Sequence, residues 1–215
     1  YWIDNGVLKE KIIKIYNGFN FNFSTEKNLS KSQIVITNIS RIIPYKGHLF
    51  LIELFNELSK FKNNLILNII GDTLPEYESY YYELKVKVEQ YNLTEKINFI
   101  GYQSDIKKYL EKSNLFIHCP IKPDPLPTVI FAAIESGTPV IFTNLGGSYE
   151  ILDSGKNGLS IDHLSVKKSV ENILQFLENK FEQEKNVKNA KSFVEKNFPK
   201  SLFNDSLKTL ISKIV

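Results

Sequence analysis

The sequence predicts an α/β fold, a Rossmann-like doubly wound parallel sheet with helices on both faces. Short apolar runs alternate with stretches of helical periodicity, as expected of parallel strands joined by crossover helices. Several of these runs are apolar throughout, which is typical of strands that are covered by helices on both faces. The chain has 215 residues, of which 42% are hydrophobic, and this suffices for one large domain with a substantial core.

The predicted strands are short, and each is followed by a polar or glycine-containing segment that predicts a loop. Between them, apolar residues at helical spacing predict amphipathic helices over residues 51–58, 81–91 and 166–177. From there the chain is predicted to stay helical to Val215, with a break near Pro199. The candidate strands are Gln33 to Ile39, Leu65 to Ile70, Lys96 to Ile100, Leu115 to Cys119, Pro139 to Thr143 and Gly158 to Ile161.

The first 32 residues differ from the rest, since much of this stretch is polar and loop-like. We assign residues 1–32 to the end of a preceding domain and a linker, with Lys11 to Tyr16 as a short strand. Residues 33–198 form the predicted Rossmann-like domain, and 199–215 a carboxyl-terminal helix. The chain begins with Tyr1 and contains no Met, which indicates a piece of a longer protein.

Composition narrows the classes of function. The 27 basic and 24 acidic residues are scattered, and the net charge is only +3, so the basic patch of a nucleic-acid-binding protein is absent. No apolar run is long enough to span a membrane and no signal peptide is recognisable, so the cytoplasm is the expected compartment. The single cysteine, Cys119, is predicted to be a packed thiol.

The loops that follow the strands are the expected place for a ligand, because open parallel sheets bind ligands beyond the carboxyl ends of their strands. After the first strand, Arg41 and Lys46 bracket a turn just before a helix. Two cations beside a helix amino terminus suit a diphosphate. The alternative is a pair of surface cations that only solvate the turn.

A second candidate segment follows the fourth strand. Pro125 and Pro127 predict an extended entry into a short apolar helix, Thr128 to Glu135, whose amino terminus faces the crevice and favours an anion there. Asp124 is either a helix cap or a ligand contact. The residues 144–147 add a small-residue loop after the fifth strand, which either approaches a ligand closely or forms a tight turn.

Cofactor motifs are not found. The chain has neither a glycine-rich dinucleotide fingerprint nor a phosphate loop of the nucleotide-hydrolase type, which disfavours nicotinamide cofactors and ATP hydrolysis. The histidines, His48, His118 and His163, have no metal-binding spacing, and the side chains of adjacent His118 and Cys119 point to opposite faces of a strand. We therefore predict no metal and no cofactor.

Taken together, eight segments in order resemble the carboxyl-terminal domain of glycosyltransferase family 4, whose members are retaining enzymes of the GT-B fold. Each segment is weak alone, and their order along nearly the whole chain carries the resemblance. The segments are IYNGFN at 15–20, SRIIPYKG at 40–47, IIGD at 69–72, INFIGY at 97–102, SNLFIHCP at 113–120, DPLPTVIFAAIESGTPVI at 124–141, TNLGGSYEIL at 143–152 and GKNGL at 155–159.

The resemblance implies that this half of a GT-B enzyme binds a nucleotide diphosphate sugar and that the sugar is transferred, without a metal, to a polysaccharide, lipopolysaccharide or glycoprotein glycan. It also implies an amino-terminal domain that holds the glycan or lipid-linked acceptor and contacts the inner face of the membrane. In the family pattern, Arg41 and Lys46 hold the diphosphate and Asp124 binds sugar hydroxyls. The other donor-binding positions are Gly101, Tyr102, Leu126, Pro127 and Thr128.

The chain departs from the family pattern at two positions. Ala132 stands where the family has a second acid that binds the ribose, and Glu135, one turn further along the helix, is a candidate substitute. Pro127 replaces a frequent glycine and removes one backbone donor. Two alternatives to a transferase therefore remain open: a sugar-nucleotide epimerase of the same fold, and a catalytically silent relative that binds a nucleotide sugar or another protein.

Overall fold

The computed structural model describes residues 5–24 and 27–212. In that part the chain forms six strands, eight α-helices and three short 3-10 turns. The strands are β1 (Ile34–Ile39), β2 (Leu65–Ile70), β3 (Ile97–Gly101), β4 (Leu115–His118), β5 (Val140–Thr143) and β6 (Leu159–Ile161). The helices are α1 (His48–Ser59), α2 (Glu78–Gln90), α3 (Lys107–Leu110), α4 (Thr128–Glu135), α5 (Gly147–Ile151), α6 (Val166–Glu178), α7 (Lys180–Asn197) and α8 (Lys200–Ile211). The 3-10 turns are Lys9–Lys11, Pro44–Lys46 and Pro75–Tyr77.

All six strands pair in parallel in one sheet of order β3-β2-β1-β4-β5-β6, with helices on both faces. The predicted fold class is confirmed, and each predicted strand is found to within one residue at either end. The strand order reverses direction between β1 and β4. A crevice opens at such a switch point beyond the carboxyl ends of the two strands.

The core forms where the periodicity places apolar side chains. In α1 the helical spacing brings Leu51, Leu54, Phe55 and Leu58 to one buried face, and each of these side chains is at most 2% exposed. Strand β2 contributes Leu65, Leu67 and Ile69 to the same core. Burial of each such side chain stabilises the fold by roughly 1.5–3 kcal/mol, so the sheet is a rigid base for its carboxyl-edge loops.

The chain divides into two compact units. The larger consists of residues 23–193 and contains the whole sheet. The smaller joins residues 1–22 to 194–215, and in it the backbone N–H of Phe19 donates to the carbonyl of Phe198 over 2.9 Å. The assignment of residues 1–32 to a preceding domain and a linker stays a prediction, as do the boundaries of 33–198 and 199–215.

The predicted short strand at Lys11 to Tyr16 is wrong. Lys11 ends a 3-10 turn, and residues 12–18 have no regular structure. Ile12 and Ile13 are 36% and 57% exposed, and in the described part of the chain no strand pairs with this segment, so its backbone groups have no ladder partner. The predicted break near Pro199 is confirmed between α7 and α8, while residues 213–215 of the predicted last helix lie outside the described part.

Across the described ranges, no helix is both long and apolar enough to cross a membrane.

Candidate functional site

The site is built on the loops that leave β1 and β4 at the switch point. After β1 the chain passes through Arg41 and the 3-10 turn Pro44–Lys46, and then enters α1. Gly47 joins the turn to the helix in the left-handed conformation, with φ 79°. A Cβ at this position would overlap the carbonyl oxygen of Cys119. Glycine therefore lets the cationic turn pack directly against the end of β4.

The thiol of Cys119 lies within this contact. It is fully buried, and the Sγ atom is 3.9 Å from the carbonyl oxygen of Gly47. Burial raises the pKa of the thiol to about 12, so the thiol stays protonated at neutral pH. The prediction of a packed thiol agrees with this position.

The loop that carries Asp124 packs against Gly146 and Gly147, the two glycines after β5. The backbone N–H of Gly147 donates to the carbonyl of Asp124 over 2.7 Å, and Asp124 pairs with Gly146 in an isolated bridge. A Cβ on Gly146 or Gly147 would overlap the carbonyl oxygen of Asp124 or Pro125. The two glycines thus allow the backbones of the two loops to pack closely. This packing fixes the position of the Asp124 backbone, and with it the Asp124 carboxylate.

Three charged or polar side chains meet at the switch point. The Nζ atom of Lys46 lies 2.5 Å from Oδ2 of Asp124, although 78 residues separate the two in sequence. The Nε2 atom of His118, at the end of β4, lies 3.2 Å from the same oxygen. The ring N–H is not aligned for a hydrogen bond to Asp124 or to any other described residue. His118 is 1% exposed, and the Lys46 and Asp124 side chains are 13% and 12% exposed.

Burial and charge set the protonation states in this cluster. The His118 ring, and with it the Lys46 ammonium, holds the pKa of the Asp124 carboxyl at about 2, against an opposing effect of partial burial. Burial lowers the pKa of His118 below its ordinary value, while Asp124 opposes that shift. At neutral pH the Asp124 carboxylate therefore lies beside a neutral imidazole.

Arg41 lies in the same loop but is not part of the cluster. Its side chain is exposed, and Nη2 donates to the hydroxyl of Tyr45 over 3.2 Å. Arg41 is the only arginine in the chain, whose other basic residues are all lysine. A guanidinium offers a planar fork of donors that a lysine lacks.

Helix α4 starts at Thr128, which is exposed, and its N-cap is Pro127, without a side-chain cap. The alternative in which Asp124 caps this helix is therefore wrong, because its carboxylate is turned to Lys46. Leu126 is half-buried beside Gly147, whose Cβ would lie 3.2 Å from the Cα of Leu126. Only three residues of chain therefore separate Asp124 from the start of α4.

Ala132 and Glu135 are both half-buried on the least buried side of α4. With a rise of about 1.5 Å per residue, Ala132 lies about 6 Å along the axis from Thr128, and Glu135 about 10 Å. The carbonyl of Glu135 accepts the N–H of Ser24 over 2.7 Å. Glu135 therefore lies at the helix end that points away from the crevice.

Gly101 and Tyr102 lie at the carboxyl end of the edge strand β3, not beside Lys46. The N–H of Tyr102 donates to Oδ1 of Asp72 over 3.1 Å, and the Tyr102 side chain is 71% exposed. The Tyr102 ring is therefore accessible to a ligand at this end of the sheet.

Sequence reasoning missed His118. The available signal was its position, since it ends a strand directly before the loop that carries Asp124. Over the residues described, no three His, Cys, Asp or Glu side chains are grouped as metal ligands.

A model of the family described as glycosyl transferases group 1 matches residues 20–193. An uncharacterized glycosyltransferase of Methanocaldococcus jannaschii is 32% identical over 131 residues, which cover 59% of this chain and 30% of the relative. The UDP-Gal:alpha-D-GlcNAc-diphosphoundecaprenol alpha-1,3-galactosyltransferase of Escherichia coli is 26% identical over 185 residues, 83% of this chain and 42% of that enzyme. The chain thus spans less than half the length of these relatives.

Solved structures share the fold. Anabaena HepE in complex with UDP-glucose has a TM-score of 0.87 at 24% identity, over 99% of this chain and 60% of HepE. The carboxyl-terminal domain of LpcC, a group 1 family protein of Francisella tularensis, has a TM-score of 0.68 at 22% identity, over 77% of this chain and 86% of that domain. The chain belongs to the glycosyl transferases group 1 family, and its Rossmann-like fold matches that of the carboxyl-terminal domain of LpcC.

Proposed function

We propose that this chain is the donor-binding domain of a retaining glycosyltransferase of family 4, which transfers a sugar from a nucleotide diphosphate sugar to a cell-surface glycan. The observation that carries the proposal is the Lys46 and Asp124 pair at the switch point, between Arg41 and the start of α4. This arrangement offers cations to a diphosphate and a carboxylate to sugar hydroxyls. Neither group alone would distinguish a nucleotide sugar from another anion.

The chemistry suits a departing nucleoside diphosphate. As the glycosidic bond breaks, the leaving group gains negative charge, and fixed cations stabilise that charge most where water is scarce. Lys46 and Arg41 supply these cations, and the amino terminus of α4 supplies unpaired N–H groups and a favourable helix dipole. No metal is required for this role, so we propose metal-independent transfer.

Uridine diphosphate sugars are the first donors to test. HepE has been crystallised with UDP and with UDP-glucose, and the Escherichia coli relative is named for UDP-Gal. Gly101 and Tyr102 are proposed to line the base, and Leu126, Pro127 and Thr128 the sugar and phosphates. The acceptor, a glycan or lipid-linked glycan, is proposed to bind the amino-terminal domain of the full enzyme, at the cytoplasmic face of the membrane.

Calorimetric titration tests the proposal. The chain is titrated with UDP, UDP-glucose, GDP and GDP-mannose, and we expect saturable heat with at least one nucleotide and its sugar. A ligand that binds only the native state also raises the unfolding temperature. Absence of binding to all four would refute donor binding and favour a relative that binds only other proteins. Release of a free sugar that is an epimer of the donor sugar, in the absence of an acceptor, would favour an epimerase.

Replacing Arg41 with alanine is expected to weaken binding of the nucleoside diphosphate about tenfold, the scale of one charged hydrogen bond. Because the side chain is exposed and its hydrogen bond to Tyr45 lies at the surface, the unfolding temperature should not change. Arg41→Lys is the matched control. It keeps the charge but not the bidentate fork, so titration should give an intermediate affinity. Equal affinity of Arg41→Ala and the unchanged chain would remove Arg41 from the site.

Replacing Ala132 with glutamate is expected to tighten nucleotide binding by about 1–2 kcal/mol, because it adds a charged acceptor on α4 about one turn nearer the crevice than Glu135, less the cost of ordering a longer side chain. Glu135→Gln is the comparison, since it tests whether Glu135 already binds the ribose. Because Glu135 lies at the end of α4 that is far from the crevice, we expect Glu135→Gln to leave the affinity for the nucleotide unchanged. A loss of affinity in Glu135→Gln with no gain in Ala132→Glu would reverse this assignment.

A further inference from the structure

His118 is placed where an ordinary core residue would be apolar. It ends β4 and is 1% exposed, yet it presents a polar ring nitrogen, Nε2, that is aligned with no described acceptor. A buried polar group without a hydrogen bond costs free energy. The only acceptor within ion-pair distance of this nitrogen, among the residues described, is Oδ2 of Asp124 at 3.2 Å.

The two oxygens of Asp124 differ in their surroundings. Both Lys46 Nζ and His118 Nε2 approach Oδ2. Within the described residues, Oδ1 has no hydrogen-bond partner, and it is not among the buried atoms that lack one. Oδ1 is therefore open to solvent. The carboxylate is thus contacted at Oδ2 and leaves Oδ1 accessible to a ligand.

We propose that His118 is a positioning residue, whose imidazole holds Asp124 through Oδ2 so that Oδ1 faces the sugar of the bound donor. This inference rests on the proposed function, in which Asp124 binds sugar hydroxyls. The neutral ring donates from Nε2, the tautomer that a neighbouring carboxylate favours. The χ2 torsion of histidine is broad, so a turn of the ring about χ2 would bring this N–H toward Oδ2.

Two substitutions separate positioning from packing. His118→Leu keeps an apolar filling of the space but removes the donor. His118→Gln restores an N–H near the place of Nε2. In titrations of the chain, His118→Leu is expected to lose about tenfold in affinity for UDP-glucose and less than about threefold for UDP, while His118→Gln recovers most of the loss.

A double-mutant cycle of His118→Leu with Asp124→Asn measures the coupling free energy between the two side chains in UDP-glucose binding. If His118 acts through Asp124, His118→Leu costs little once Asp124 is changed, so the two losses are not additive. Equal losses for UDP and UDP-glucose, or additive losses in the cycle, would assign His118 a structural role only. If His118→Leu does not fold, His118→Asn replaces it, because its shorter amide does not reach Oδ2.

A measurement without ligand keeps the two proposals separate. Titration of the Asp124 side chain by carbon-13 NMR should give a pKa about one unit higher in His118→Leu than in the unchanged chain, and His118→Gln should restore it. An unchanged Asp124 pKa would overturn the positioning role, whether or not nucleotides bind. Failure of the unchanged chain to bind any nucleotide, with the Asp124 pKa shifted as expected, would instead overturn the proposed function.

Discussion

Replacing Gly47 with alanine is expected to lower the free energy of unfolding by about 3 kcal/mol. The residue has φ 79°, a conformation that costs an alanine roughly 1–2 kcal/mol. The added Cβ would also overlap the carbonyl oxygen of Cys119, and relief of such overpacking typically costs about 1–3 kcal/mol. Urea unfolding followed by circular dichroism measures the resulting loss in the free energy of unfolding.

Gly101→Ala is the matched control for Gly47→Ala. Gly101 has nearly the same φ, 78°, but an added Cβ would meet only Oδ1 of Asp72, at 3.5 Å. That variant carries the backbone strain without the overlap, so it should lose about 1–2 kcal/mol. If the two variants lose the same stability, the turn before α1 does not pack against β4 as tightly as the structure indicates.

The fold could be predicted largely because its signals are local. A strand such as β2, Leu65–Ile70, is apolar at five of its six positions and is followed by Gly71, so periodicity and composition locate it without knowledge of its partners. The prediction for Lys11 to Tyr16 failed for the converse reason. β-branched residues favour extended backbone, but a strand also needs a partner and a buried face, and neither is encoded in the segment itself.

The strand order and the site needed long-range information. The sequence points to Arg41, Lys46 and Asp124 as separate candidates, because cations before a helix and an acid after a strand are local features. It does not show that Lys46 and Asp124 form an ion pair, since that contact depends on β1 and β4 being neighbours. The contact of His118 with Asp124 could not be predicted, because alternation along a strand indicates which face of the sheet a side chain takes but not which loop covers it.

Lys46→Ala is expected to have the largest effect on ligand binding, a loss of about 100-fold in affinity for UDP, or about 2.7 kcal/mol. Removal of the ammonium deletes a charged hydrogen bond to the phosphates, worth roughly 1.5–3 kcal/mol. It also leaves the Asp124 carboxylate without the cation that pairs with it, beside an anionic ligand. Titration calorimetry at neutral pH measures the loss.

Two further variants separate these contributions. Lys60→Ala removes a lysine that pairs with Glu57 at 2.6 Å on the exposed surface, and it should leave both binding and stability nearly unchanged, since such pairs contribute little. Lys46→Ala combined with Asp124→Asn removes the uncompensated charge, so it should recover about tenfold of the UDP affinity that Lys46→Ala alone loses. If UDP binds to Lys46→Ala as tightly as to the unchanged chain, then Lys46 serves only to neutralise Asp124, and the diphosphate is held elsewhere.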